Sequence, residues 1–258
     1  MPLPPIFYHA FRPPLPYRPT WLLQESLHRI QLDARRSANH NDLLLLLEHR
    51  PVYTAGRRQT EHELDDDRQR LTAIGADFVS ASRGGQLTYH GPGQIVGYPL
   101  LDLSRHSPVM GARDYVCRMQ KTLELHLKEA HGLDLAPSEH TGVFLDPRTK
   151  IASIGVQVRH RLTSHGFALN VTHEPRPWFD EVVACGLDGV KAGSIQSATG
   201  KPVTVQGEIP GLVERFGRLY GRDMVRLDLS QRNPSTDAIL ALEQEAAEMG
   251  PWAKAPRK

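Results

Sequence analysis

The sequence has few cysteines, little net charge and no long apolar run. Of its 258 residues 2 are cysteines, and 31 Lys and Arg residues balance 29 Asp and Glu residues to a formal net charge of +2. Two cysteines exclude a disulfide framework as the basis of the fold and favour a reducing compartment. The small net charge excludes a nucleic-acid binder held mainly by a basic field. The longest apolar run, the leucines at 43–47, is too short to cross a membrane.

Sequence motifs for nucleotides and metals are also missing. The chain has no GxxxxGK(S/T) loop, and no GxGxxG follows a predicted strand. The 13 histidines form no HExxH motif, and His126 and His131, five residues apart, do not share one face of a helix. We therefore expect neither a cofactor nor a metal ion.

The periodicity of the apolar residues predicts an α+β fold. The length permits one large domain or two small ones. Helix-period patterns occupy residues 20–34, with Thr20 as the N-cap, 112–131, where Gly132 is the stop, and 207–220. Strand patterns occupy residues 6–11, 43–48, 76–81, 94–101, 143–145, 150–158 and 163–171, and the last two form a hairpin with a four-residue connection at 159–162. Because strands outnumber helices and often follow one another, we predict a mixed or antiparallel sheet with packed helices.

The N-terminal segment has two interpretations. Residues 1–24 contain no acidic residue and carry Arg12 and Arg18, as a mitochondrial presequence does, but seven prolines oppose an amphipathic helix. The other interpretation is an edge strand at 6–11 followed by a polyproline-like connector at 13–19.

The C-terminal segment differs from the rest of the chain in composition. A domain over residues 1–229 is followed at 230–258 by a polar linker, a short helix at 238–249 and a basic tail. We assign no chemistry to this segment and expect it to be dispensable.

The densest cluster of unusual residues is the stretch 83–94. It contains four glycines and one proline, with Arg83 and His90 as polar groups. Glycines allow a backbone to approach a ligand closely and leave N–H groups available to it. A long hairpin turn explains the same composition equally well.

Cys185 and Lys150 are the candidates for chemistry. A lone cysteine is most often a buried structural thiol, but Gly186 permits a tight turn that exposes the sulfur of Cys185. We expect Cys117, inside the helix at 112–131, to be an inert core thiol. Lys150 opens a strand, where a lysine is usually solvated. It shares the parity of Ala152 and Ile154, so its stem can lie along a buried face, and burial makes a lysine a usable proton acceptor.

Four blocks of residues resemble a known family. They are RGGQLTYHGPGQIVGY at 83–98, KIASIGV at 150–156, HGFALN at 165–170 and ACG at 184–186. From the first strand to about residue 220, the chain resembles the octanoyltransferases of lipoate biosynthesis. The resemblance implies the fold shared by biotin and lipoate protein ligases. It also implies transfer of an octanoyl group from acyl carrier protein to a lysine of the lipoyl domains of 2-oxoacid dehydrogenases or of the glycine-cleavage H protein.

The resemblance also implies roles for individual residues. Cys185 is the acyl-thioester nucleophile, and Lys150 favours its thiolate and shuttles protons. The residues implied to line the acyl site are Arg83, Gly84, Gly85, Gln86, Leu87, Thr88, Tyr89, His90, Ser153, Ile154, Gly155, Gly166, Phe167 and Ala168, with His165 and Asn170 in support. Two positions depart from the family: Ala184 stands where proline is frequent before the cysteine, and Gly193 stands where the family has threonine.

Other functions fit parts of the same pattern. The nearest is an ATP-dependent lipoate ligase or an octanoyl amidotransferase of the same fold, although a ligase should carry a serine and three glycines in the loop and needs no cysteine. From another class, a non-catalytic module could bind lipoyl domains or acyl carrier protein.

We expect a monomer with no nucleic-acid partner and no membrane span. A basic rim of Arg57, Arg58, Arg159 and Arg161 should face the acidic carrier protein. The acid-free N-terminus favours a mitochondrial location over the cytoplasmic alternative.

Overall fold

The chain folds around two sheets with helices packed on them. The computed structural model describes residues 3–37, 40–60, 62–182, 186 and 189–257. The helices in this part are α1 (Tyr17–Ala34), α2 (Asp65–Ala73), α3 (Ala112–His131), α4 (Arg176–Phe179), α5 (Ile195–Thr199), α6 (Val205–Tyr220) and α7 (Pro234–Glu248). The strands are β1 (Ile6–Ala10), β2 (Asp42–Leu47), β3 (Val52–Ala55), β4 (Asp77–Ser80), β5 (Thr88–His90), β6 (Gln94–Leu100), β7 (Val143–Asp146), β8 (Thr149–Arg159), β9 (Leu162–Asn170), β10 (Lys191–Ala192) and β11 (Met224–Arg226).

The large sheet is mixed, which confirms the prediction of an α+β fold. Its eight strands run in the order β10-β8-β9-β6-β2-β1-β11, with β7 also paired to β8. The central pairs β8–β9, β9–β6 and β6–β2 are antiparallel, whereas β1 is parallel to both of its neighbours. A separate small sheet has the order β4-β3-β5.

The hairpin of β8 and β9 is confirmed, with a tighter turn than expected. Arg159 pairs with Leu162, so only His160 and Arg161 form the connection. Both have positive φ, 52° and 63°, as a two-residue type I′ turn requires. This turn sets the register of the two strands that carry two of the four family-like blocks, 150–156 and 165–170.

Two predictions for the N-terminal segment are wrong. β1 is not an edge strand, because β11 covers its outer side. α1 begins at Tyr17 rather than after Thr20, because Pro19 falls in the first turn of the helix, where proline is tolerated. The Thr20 hydroxyl donates to the carbonyl of Pro16 at 2.6 Å instead of capping the helix. Residues 6–24 are therefore part of the folded domain.

Helices cover both faces of the large sheet. α3 and α6 pack on one face around Met119, Leu123 and Phe216, and α3 ends at Gly132 with φ of 65°, as predicted. α1 and α7 pack on the opposite face. No helix in the described ranges is long and apolar enough to cross a membrane.

The C-terminal helix starts earlier than predicted and is integrated into a core. Asn233 caps α7 by accepting the N–H groups of Ser235 and Thr236. Ile239 and Leu242 are buried against α1 and β2. This packing indicates that α7 contributes to the stability of the fold, whereas the sequence alone led us to expect a dispensable segment.

The small sheet was not foreseen. Its strands β3 and β5 have four and three residues, and β5 lies inside the stretch 83–94 that a long hairpin turn could have explained. Tyr89 of β5 stacks on Trp178 with ring centroids 5.4 Å apart. The small sheet therefore packs against α4 through the side chain of Tyr89.

Candidate active site

Lys150 lies at the start of β8 and borders a cavity of about 220 Å³. Its side chain is half-buried, and its Nζ atom lies 5.4 Å from the centre of the Phe144 ring. The stem passes over Gly142, where an added Cβ would come within 2.6 Å of Lys150 Cε. Within the described part of the chain, no carboxylate forms an ion pair with this amine. The Phe144 ring and the packing of the stem against Gly142 therefore position the amine at the cavity, and no counter-ion among the described residues does so.

The segment that follows Cys185 is anchored beside Lys150. β10 pairs in parallel with β8, so Ala192 lies opposite Lys150. Lys191 donates its backbone N–H to the carbonyl of Arg148 at 2.7 Å, and Gly193 donates to the carbonyl of Lys150 at 2.9 Å. Cys185 itself lies outside the described residues. Its covalent neighbour Gly186 has φ of 64° and contacts the side chain of Gln86.

A second cavity, of about 50 Å³, adjoins the first through Ser153, which lines both. It lies between the glycine-rich loop and strands β8 and β9. Of the residues implied to line an acyl site, this cavity collects Arg83, Gly84, Gly85, Gln86, Thr88, His90, Ser153, Ile154, Gly155, Gly166, Phe167 and Ala168, together with His165.

Leu87 and Tyr89 lie elsewhere. Alternate residues of a strand point to opposite faces, and along β5 Thr88 and His90 face the cavity. Leu87 and Tyr89 face the core of the small sheet. The structure therefore corrects their expected position in the cavity wall.

Arg83 shapes the glycine-rich loop. Its guanidinium donates to Thr54 of β3 and to the carbonyls of Gly84 and Gln86. The Gly84 N–H donates to Val156 of β8 at 3.1 Å. An added Cβ at Gly56 would approach the Gly85 carbonyl to 2.3 Å, so only glycine fits against the loop there. These contacts fix the loop backbone over the cavity.

Three buried histidines near the cavity are neutral at pH 7. Burial lowers the pKa of His90 and of His165 to about 3 and that of His49 to about 4. His49 donates from Nδ1 to the Leu15 carbonyl and accepts at Nε2 from the Tyr98 hydroxyl at 2.7 Å. The inner cavity therefore has an uncharged imidazole lining, which suits an apolar chain.

A chain of hydrogen bonds joins the loop to Lys150. His90 Nδ1 donates to Gln94 Oε1, Gln94 Nε2 donates to Asn170 Oδ1 at 2.8 Å, and Asn170 Nδ2 donates to the Gly193 carbonyl at 2.9 Å. Gly193 completes the chain with its N–H bond to Lys150. Asn170, for which the resemblance implies a supporting role, thus links Gln94 of β6 to Gly193 in the segment that follows Cys185.

His165 adopts an unusual backbone conformation inside β9. Its φ is 56°, and its N–H donates to the side chain of Gln24 in α1 at 2.8 Å. Its Nε2 lies 3.1 Å from the Ser82 hydroxyl. A positive φ in a strand is a strained state that neighbouring contacts must hold.

Three further lining residues are not among those that the resemblance implied. Tyr17, Val96 and Tyr98 close the inner cavity. Only the long-range pairing of β6 with β2 and β9 brings Val96 and Tyr98 there, and α1 brings Tyr17.

Two other expectations need correction. Cys117 is exposed on α3, because it lies outside the buried stripe formed by Tyr115 and Met119. Arg159 and Arg161 lie at the far end of the β8–β9 hairpin, about 30 Å along the strand from Lys150, and Arg159 pairs with Glu25 at 2.7 Å. Arg58, in contrast, borders a cavity that also contains Lys150.

Known proteins are similar to this chain in sequence and in fold. The lipoyl protein ligase A/B catalytic domain model matches residues 16–217. An octanoyltransferase of Koribacter versatilis is 34% identical over 209 residues, 79% of this chain and 82% of the relative. The mitochondrial octanoyl-acyl-carrier-protein:protein N-octanoyltransferase LIPT2 of Danio rerio is 39% identical over 187 residues, 72% of this chain and 81% of the relative.

A solved lipoate-protein ligase A with bound ATP shares the fold. It is 14% identical with a TM-score of 0.62, and the match covers 96% of this chain and 97% of the ligase. The expected fold is thereby confirmed. With the family model over most of the chain and these relatives, the chain belongs to the lipoyl protein ligase A/B catalytic domain family and, within it, to the octanoyltransferases.

Proposed function

We propose that this octanoyltransferase carries the octanoyl group on Cys185, taking it from acyl carrier protein and passing it to a lysine of a lipoyl domain. The observation that supports this most directly is the anchoring of residues 191–193 along β8 at Lys150. It holds the chain on one side of Cys185 next to the half-buried amine, while Gly186 contacts the loop at Gln86.

The first half-reaction exchanges one thioester for another. The Cys185 thiolate attacks the octanoyl carbonyl, the new C–S bond forms, and the carrier's C–S bond breaks. The proton lost by Cys185 goes to the leaving carrier thiol. Since the two thioesters are nearly equal in energy, no ATP is required. The ammonium of Lys150 favours the thiolate of a nearby cysteine.

The second half-reaction needs a neutral amine. A free lysine has a pKa of about 10.4, so the acceptor arrives protonated. Lys150, after losing its own proton to solvent, takes that proton, and the acceptor nitrogen attacks the acyl carbonyl. The C–N bond forms, the C–S bond to Cys185 breaks, and the second proton of the nitrogen passes to the leaving sulfur, which restores the Cys185 thiol.

The loop over the cavity can stabilise the oxyanion of both steps. Gly85 and Gln86 line the inner cavity, and their backbone N–H groups have no hydrogen-bond partner among the described residues. Fixed N–H donors of this kind stabilise developing negative charge. The neutral histidine lining deeper in the cavity supports placement of the acyl chain there.

Intact-mass spectrometry tests the proposal. We expect octanoyl-acyl carrier protein, without ATP, to add one octanoyl group to the enzyme. Cys185→Ala should abolish the adduct, and the matched variant Cys117→Ala should keep it. A lipoyl domain added afterwards should gain the octanoyl group as the enzyme loses it. An adduct on the Cys185→Ala enzyme, or transfer only with ATP, contradicts the proposal and favours a ligase.

The location is proposed on the relatives alone. The Danio rerio relative is named mitochondrial, and the Koribacter versatilis relative comes from a bacterium. We propose a mitochondrial location, with the cytoplasm as the alternative. Fluorescence imaging of the full chain with a C-terminal tag distinguishes them.

A further inference from the structure

Two histidines of α3 and one glutamate of α6 converge on a single point. His126 Nε2 lies 2.8 Å from Glu208 Oε2, and His131 Nε2 lies 2.7 Å from the same oxygen. All three ligand atoms lie within 4.8 Å of one another. His131 is the last residue of α3. There its ring can turn toward His126, despite a spacing of five residues that would separate them in mid-helix.

The cluster is well shielded from solvent. The side chains of His126, His131 and Glu208 are 1%, 12% and 10% exposed. Burial raises the pKa of Glu208, but the hydrogen bonds from His126 and His131 outweigh it, and the pKa lies below its ordinary value. The carboxylate is therefore ionised at neutral pH. The guanidinium of Arg215, which lies beside Gly211 as His126 does, is paired with Glu129.

The cluster is separate from the active site. Val116 is the residue of α3 that borders the cavity with Lys150, and His126 is ten residues further along. At 1.5 Å per residue this is about 15 Å. Neither half-reaction uses these three side chains.

We propose that His126, His131 and Glu208 bind one Zn²⁺ ion, with water as the fourth ligand. Two imidazole nitrogens and one carboxylate oxygen are a donor set that zinc accepts in a tetrahedral site, and three protein ligands leave one position for solvent. The ion would join the end of α3 to the first turn of α6 and so brace the two helices that cover one face of the large sheet.

The required adjustment is small. With zinc–ligand distances of about 2.0–2.1 Å, tetrahedral ligand atoms lie about 3.3 Å apart. The two contacts to Glu208 must lengthen by about 0.5 Å, and the two Nε2 atoms must approach each other.

One feature limits the affinity. Zinc at Nε2 leaves the proton on Nδ1 of His126, which is buried beside Gly211 and has no hydrogen-bond partner among the described residues. An unpaired buried N–H weakens binding by about 10- to 100-fold. We therefore expect a weaker site than one whose histidines are fully supported by hydrogen bonds.

Metal titration of the full chain tests the proposal. The protein carries no histidine tag, and Cys117→Ser and Cys185→Ser remove thiol ligands. After treatment with a chelator, calorimetry should show one Zn²⁺ per chain. Zinc at 100 times its Kd should raise the Tm by about 5–10 °C. Co²⁺ in place of zinc should give the strong visible absorption of a four-coordinate site.

Variants distinguish this site from surface binding. Glu208→Gln and His131→Gln should weaken zinc binding by at least about 10-fold, whereas His173→Gln, at an exposed histidine outside the cluster, should bind zinc as the parent does. The proposal is overturned if binding is not one per chain, if Glu208→Gln binds zinc equally well, or if zinc leaves the Tm unchanged. In these cases the cluster is a hydrogen-bonded link without a metal.

Discussion

Gly193 donates its backbone N–H to the carbonyl oxygen of Lys150 at 2.9 Å. The resemblance implies a threonine at this position, and the structure shows what occupies the space of its side chain. An added Cβ would meet the Thr149 methyl at 2.6 Å and Leu145 at 3.0 Å. Side chains of neighbouring strands thus occupy the volume of the missing one, and the backbone bond to Lys150 does not depend on it.

Lys150 variants should separate the two half-reactions. Lys150→Met keeps the stem but removes the amine, so both steps should slow by about 100- to 10,000-fold. Lys150→Arg keeps the positive charge but gives up no proton, so the enzyme should become acylated and transfer poorly. Rapid quenching with intact-mass detection should therefore show the octanoyl-enzyme accumulating.

The control for these variants is another lysine of the same cavity. Lys191 borders it but is exposed, so Lys191→Met should change the rates little. Normal turnover by Lys150→Arg would show that Lys150 is not the proton acceptor.

The inner cavity should set the preferred acyl length. Ala168 lines it with Tyr98 and His165, and Ala168→Leu adds three carbons to a space of about 50 Å³. Displacing two or three methylenes of the substrate costs about 0.8 kcal/mol each, so kcat/KM should fall about 10- to 100-fold for octanoyl thioesters. Butyryl thioesters should be little affected. An equal loss for both chain lengths would place the acyl chain elsewhere.

Arg58 should assist the encounter with acyl carrier protein. Lys150 borders two cavities, and Arg58 is exposed at the one that Val116 also lines. Acyl carrier proteins are acidic. Arg58→Glu should raise KM for the carrier substrate, more strongly at low salt, and leave a small octanoyl thioester unaffected. Arg161→Glu makes the same change of charge at the far hairpin turn and should have a weaker effect. Equal effects of the two variants would indicate general rather than local steering.

Local patterns predicted the elements whose signals are long. The alternation along β8 and β9 and the apolar stripe of α3 with its stop at Gly132 extend over many residues, and tertiary packing reinforced them. β3 and β5 are too short to show a period, and α2 has a polar sequence with a single buried residue, Leu71. Such elements are stabilised by pairing and packing with distant parts of the chain, which a local pattern does not reveal.

The site shows the same division. The resemblance implied that His90, Asn170 and Lys150 belong to the site. It did not predict the chain of hydrogen bonds that joins them through Gln94 and Gly193. Each link connects a different pair of elements, so it depends on sheet order. The same holds for Glu208, which is 77 residues from His131 in the chain and carries no local sign of that contact.

Acid should destabilise the protein through its buried histidines. In the folded chain the pKa is about 4 for His49 and about 3 for His90 and His165, against 6.5 in the unfolded chain. Below pH 6.5 the unfolded chain therefore binds protons that the folded chain does not. The contribution of these three histidines to the free energy of unfolding is fully present above pH 6.5. It decreases as the pH falls toward 4, by up to about 4 kcal/mol per pH unit.

Urea unfolding between pH 4.5 and 7.5 measures this slope. His49→Gln should reduce it by about one proton, because glutamine does not titrate. His62→Gln, at a fully exposed histidine, should leave the slope unchanged. A stability that does not vary between pH 7 and pH 5 would contradict the burial of the three imidazoles in their neutral form.

The C-terminal helix should be required for stability but not for chemistry. Ile239 is completely buried on α7 against α1, so Ile239→Ala should lower the free energy of unfolding by about 2–5 kcal/mol.

The C-terminal end of α7 also contributes to stability, because the buried Arg50 donates to the carbonyls of Ala246 and Gly250. Deleting residues 230–258 leaves that guanidinium without these acceptors and exposes Leu23 and Leu27. The deletion should lower the Tm by more than Ile239→Ala does. Glu245→Ala, on the exposed face of α7, is the control and should shift the Tm little. At low temperature Ile239→Ala should retain its kcat/KM, since α7 borders neither cavity. If the chain ending at residue 229 melts with the full-length protein, α7 adds no stability and the segment is dispensable after all.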